Sequence, residues 1–127
     1  MSLLSFALAA MLASAPNAAA LANIGISGKT KAPDLATAKS ALQEAKGFTS
    51  GQLKCSDVGD AAASLMPKGW APADPNFRLG PKGARYERWE IKACGRNEPF
   101  LVVFWKTKGR PDFQVAHPFP TDPVKKP

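Results

Sequence analysis

Few side chains in this 127-residue chain are equipped for covalent or acid–base chemistry: one histidine, His117, and two cysteines, Cys55 and Cys94. His117 stands beside Pro118 with no Asp or Glu spaced to complete a triad, so it reads as a surface residue. The cysteines form no Cys-x-x-Cys pair and have no histidine near them in sequence, which argues against a redox or nucleophilic thiol. In an exported chain two cysteines are most economically joined to each other. Closing the loop between Cys55 and Cys94 contributes roughly 4 kcal/mol in the chain-entropy view. Glu87 and Glu90 fall on opposite faces of a regular strand and cannot work as an acid and base pair. No Gly-x-Gly-x-x-Gly, phosphate loop, zinc spacing or calcium loop occurs, so no cofactor or metal is expected. A small hydrolase or redox enzyme is the least supported class.

Charge and aromatic surface are the stronger signals. Seventeen Lys and Arg against ten Asp and Glu leave a net charge of +7, all of it beyond residue 20. That balance favours anionic partners such as lipopolysaccharide, polyanionic glycans, nucleic acid or an acidic protein, and equally fits a solvated surface. Either Phe100, Val102 and Phe104 or Leu101, Val103 and Trp105 must lie beside Arg88 and Lys92; the candidate binding patch takes the second set, with Trp105 supplying apolar contact and the two cations attracting an anion. The competing expectation is that the Pro-rich loop carrying Trp70 and Phe77 folds over this face, or that long Arg and Lys stems cover it.

These residues must be positioned by a small set of elements. Leu35, Ala38, Ala41, Leu42 and Ala45 recur at helical spacing, with Asp34 as N-cap and Gly47 as the stop, predicting a helix of about three turns. Val58, Ala61, Ala62 and Leu65 predict a second helix over Asp57 to Met66, ended by Pro67 and Gly69. Trp70 to Gly83 reads as a loop. Tyr86 to Cys94 alternates, with Trp89, Ile91 and Ala93 on one face and Arg88, Glu90 and Lys92 on the other, as in a half-buried strand. After a loop over Gly95 to Pro99, Phe100 to Trp105 is apolar throughout and suits a central strand; Lys106 to Pro111 turns the chain, and Asp112 to Ala116 offers a third strand. The expected fold is α+β, with one or two N-terminal helices packed on a three-stranded antiparallel meander and a single disulfide.

The run Leu3 to Ala13 has signal-peptide length, and the small residues that follow place cleavage after Ala20 or Ala22. The expected organisation is a signal peptide over 1–20, a flexible leader over 21–32, the α+β domain over 33–116 and a Pro-rich extended tail over 117–127. No later apolar stretch reaches membrane-spanning length.

Glu87-Arg88-Trp89-Glu90-Ile91-Lys92-Ala93-Cys94-Gly95, followed by Phe100-Leu101-Val102-Val103-Phe104, resembles a hairpin of small secreted or periplasmic proteobacterial proteins of unknown function, with the pattern E-x-W-x-[IV]-x-x-C-G. The likeness covers about 30 residues. It implies export and a structural disulfide, and no activity. The expected function is that of an exported envelope binding or accessory protein acting on a protein partner. The alternative is capture of an anionic envelope component, lipopolysaccharide or glycan, by a basic face. Nucleic acid is the least supported partner, since an exported protein meets little of it.

Overall fold

Asp34 caps its helix as its position predicts: its side chain accepts a hydrogen bond from the Thr37 N–H at 2.7 Å. The computed structural model describes residues 15–121, and within them this helix is the longer of two. Helix α1 is Ala18–Asn23, strand β1 Ile26–Gly28, helix α2 Leu35–Gly51, strand β2 Val58–Leu65, strand β3 Arg85–Ala93, strand β4 Arg96–Thr107 and strand β5 Arg110–Ala116. One turn of 3-10 helix, Pro75–Phe77, lies in the loop between β2 and β3.

The five strands form one sheet in the order β1-β2-β3-β4-β5. β1 runs parallel to β2 with α2 as the crossover, and the remaining pairs are antiparallel. The sheet is therefore five-stranded and mixed, and the expected three-stranded meander accounts for β3, β4 and β5 alone. Helix α2 also runs past Gly47, which projects into open space where the missing side chain costs no packing. The added turn buries Thr49 and sets Phe48 edge-on to Phe100 at 5.9 Å.

The expected second helix is strand β2. Its alanines satisfy either period, and the tertiary setting decides between them. Ala61 and Ala63 point into the core while Asp60, Ala62 and Ser64 face out, a period of two. Strand partners on both sides complete the pairing, β1 on one and β3 on the other.

The expected leader over 21–32 is likewise built into the fold. Leu21, Ile26 and Ala32 are all buried in the main core. At Gly28, with φ of +85°, a Cβ would fall 2.0 Å from the Ala63 carbonyl oxygen, so only glycine lets β1 lie this close to β2. The N-terminal run 1–14 lies outside the described residues. A cut after Ala20 would leave Leu21 in its core position, whereas a cut after Ala22 would remove it.

Both later hairpins turn on two residues. Cys94 and Gly95 join β3 to β4, and Lys108 and Gly109 join β4 to β5, all four with positive φ, the arrangement that matches the twist of paired strands. The loop expected over Gly95 to Pro99 is therefore mostly strand. Pro99 is tolerated within β4 because its carbonyl points outward to accept the Phe119 N–H at 2.9 Å, so its missing N–H falls on the side away from β3.

At β4 and the adjoining part of β3 the sheet is covered on both faces. Against α2 lie Trp89, Ile91, Phe100, Val102 and Phe104. Against the β2–β3 loop lie Tyr86, Leu101 and Val103, joined by Phe119. The expected extended tail is thus docked at its start: Phe119 and Pro120 are buried, and 122–127 lie outside the described residues. Cys55 and Cys94 are bonded, with Cα atoms 6.0 Å apart, and fasten the chain just before β2 to the chain just after β3.

Candidate functional site

The five residues expected to form a patch share a face but do not form an open one. Arg88 pairs with Leu101 and Tyr86 with Val103 across β3 and β4, so the apolar pair does stand beside the cation. Leu101 and Val103 are nevertheless fully buried, because Trp70 and Phe119 close over them. Trp70 stacks on Phe119 at 5.5 Å and meets Tyr86 edge-on at 5.6 Å. The Arg88 guanidinium is engaged on the rim of this cover, 5.0 Å above the Phe119 ring and 3.7 Å from Glu90. Lys92 stands four residue pairs further along the strand from Arg88, opposite Asn97 and away from Trp105. Covering of the face by the Trp70 loop, the competing expectation, is what the structure shows.

The loop that makes this cover creates a cleft of its own, of about 580 Å³, between its two arms and the start of β3. Four cations line it, Lys68, Arg78, Lys82 and Arg85, together with the aromatic rings of Trp70 and Tyr86; no lining residue is acidic. The loop is shaped by specific bonds. Arg78 donates from Nε to the Pro72 carbonyl at 2.9 Å and from Nη2 to the Ala73 carbonyl at 3.2 Å, tying one arm of the loop to the other. Tyr86 donates its hydroxyl to the Leu79 carbonyl at 3.0 Å. Burial pushes the Tyr86 phenol above its ordinary 10.0, against the opposing charge of Arg78, so the ring is a neutral donor. Gly80, at φ of +74°, packs against the Trp105 indole, where a Cβ would come within 2.9 Å of the ring.

Beyond that indole lies a second cleft, of about 480 Å³. It is lined by Lys31, Arg85 and Lys106 with Thr30, Phe104 and Trp105, and at its edge by Ala15, which a cut after Ala20 or Ala22 would remove, and again by no acid. Beneath it Glu87 is fully buried. One carboxylate oxygen accepts the Trp89 indole N–H at 2.9 Å and the other accepts the Lys31 backbone N–H at 2.6 Å. Burial pushes the Glu87 carboxyl above its ordinary 4.5, while these donors, the Thr30 hydroxyl and the charge of Arg85 act in the opposite direction. Its role is structural: it holds the β1–α2 loop onto the sheet.

Six cations therefore converge at one end of the sheet. Of the expected patch only Trp105 belongs here. Lys68, Arg78, Lys82 and Arg85 were legible as four cations in an 18-residue stretch that holds one acid, Asp74, but their convergence depends on how the loop folds back. Among the described residues no three His, Cys, Asp or Glu gather closely enough to hold a metal, and no helix is long and apolar enough to cross a membrane. No protein-family model, no curated protein and no solved structure matches this chain.

Proposed function

We propose that the protein works outside the cytoplasm as a binding protein for an anionic component of the cell envelope, held in the cleft lined by Lys68, Arg78, Lys82 and Arg85. The observation that carries this reading is the uncompensated charge of that cleft: four cations, two aromatic rings and no carboxylate in a concave site of ligand size. The disulfide, the apolar leader and the hairpin resembling secreted or periplasmic proteobacterial proteins support an extracytoplasmic setting.

Action on a protein partner through Leu101, Val103 and Trp105 loses its support, because the first two side chains lie beneath the Trp70 loop. Among the described residues Phe48 is the one large apolar side chain that stands exposed, whereas protein interfaces centre on clustered aromatic anchors.

The test is titration of the oxidised protein with lipopolysaccharide at low and high salt, alongside the double variant Lys68→Ala/Lys82→Ala. Both lysines are exposed, so the variant keeps the fold. Binding that weakens steeply with salt and falls about thirtyfold in the variant supports the cleft, given roughly 1 kcal/mol for each of the two cations at an anionic surface. Binding indifferent to both would sink it.

A further inference from the structure

We infer that the ligand is a linear acidic polysaccharide spanning both clefts, rather than one anionic headgroup seated in the first. This deepens the anion-binding reading and rests on it. Three observations support the extension. Arg85 lines both clefts, so a charge held there is shared between them. The wall between them is thin: Gly80 and Ala84 of the first cleft pack together, and Gly80 lies against the Trp105 indole, which lines the second. Lys31 and Lys106 then continue the row of cations past Trp105, with no acidic side chain lining either cleft. A single anionic group can neutralise part of such a row, whereas a chain carrying an anion on each successive unit can meet all of it.

Arrangement of the rings favours a saccharide over a single-stranded nucleic acid. Bases need free aromatic faces on which to stack. Here Trp70 is stacked on Phe119, Tyr86 is buried and meets Trp70 edge-on, and Gly80 packs against Trp105, so contacts within the protein already engage all three rings. A charged polysaccharide needs no such stacking platform, because the cations lining both clefts supply the attraction to its anionic groups.

The experiment compares a heparin disaccharide with a long heparin oligosaccharide, measured calorimetrically on the oxidised protein, the first-cleft variant Lys68→Ala/Lys82→Ala and the second-cleft variant Lys31→Ala/Lys106→Ala. Lys31 and Lys106 are exposed, and Lys31 holds Glu87 through its backbone N–H, which the alanine retains. The wild type is expected to bind the long chain at least about tenfold more tightly than the disaccharide, through the effective concentration of the second contact. In the second-cleft variant that advantage should collapse while disaccharide binding stays unchanged. Equal long-chain affinity in wild type and second-cleft variant would overturn the spanning chain and leave the single-cleft reading standing. Loss of neither probe in the first-cleft variant would overturn the anion reading itself, and single-stranded DNA binding as tightly as the long oligosaccharide would overturn the choice of a saccharide.

Discussion

Glu87 shows how one residue can be essential to a fold without belonging to its chemistry. Both of its oxygens receive N–H donors from groups far apart in sequence, Lys31 and Trp89, in a place with no water to substitute. A glutamine there can accept through one oxygen only, so Glu87→Gln leaves an N–H unpaired. That costs about 1–3 kcal/mol at low pH, where both side chains are neutral. The pH dependence follows from burial. With the native carboxyl raised above 4.5, folding takes up a proton, so the stability Glu87 contributes is complete below 4.5 and is lost as pH rises through the raised value. The gap between wild type and Glu87→Gln should therefore narrow as pH rises, read from urea midpoints across that range; a gap that widens would refute the assignment. Gly28 makes the companion point for backbone, since its close approach to Ala63 leaves no room for any Cβ.

Among the elements, the β2–β3 loop has the most consequence for function, because it buries the inner face of β3 and β4 and shapes the basic cleft at once. Its hold on the sheet depends on Trp70, wedged between Phe119 and Tyr86. Trp70→Ala should cost about 2 kcal/mol, less than the roughly 3–5 of a fully buried aromatic, and should uncover Leu101 and Val103. The check is dye binding to exposed apolar surface, which should rise in the variant while the far-ultraviolet spectrum of the sheet persists. The disulfide acts at the opposite end of the same strands. Replacing Cys55 and Cys94 together by serine opens a loop of 39-residue separation and should lower the unfolding free energy by about 2–4 kcal/mol, measured against denaturant. The face of β2 and β3 beyond the loop carries Asp60, Ser64, Glu90 and Lys92 and stays polar, so it needs no cover.

Across the whole molecule, an excess of +7 written evenly along the chain becomes an uneven field once folded, with six cations drawn to one end of the sheet and no acid among the residues lining their clefts. Much of the architecture was legible beforehand because local pattern and tertiary setting agreed. Asp34 capped its helix, the alternation of Arg88 to Ala93 assigned the two faces of β3, the apolar run Phe100 to Trp105 marked a strand covered on both sides, and the two cysteines formed one bridge. β2 was not legible, because alanine serves a helix and a strand almost equally and only neighbours on both sides could decide. Nor was β1, since three residues carry no period, and their place depends on a glycine meeting a carbonyl from a strand 35 residues away. Alternation grouped Arg88 with Lys92 and Leu101 with Val103 and Trp105, but it took the pairing of Arg88 with Leu101 to set the two groups on one face, and whether that face was open lay with a loop whose path alternation does not describe. The cleft cations were visible as residues and invisible as a site: charge is a property of the sequence, but convergence of charge comes from the loop's own hydrogen bonds and the rings that pin it to the sheet.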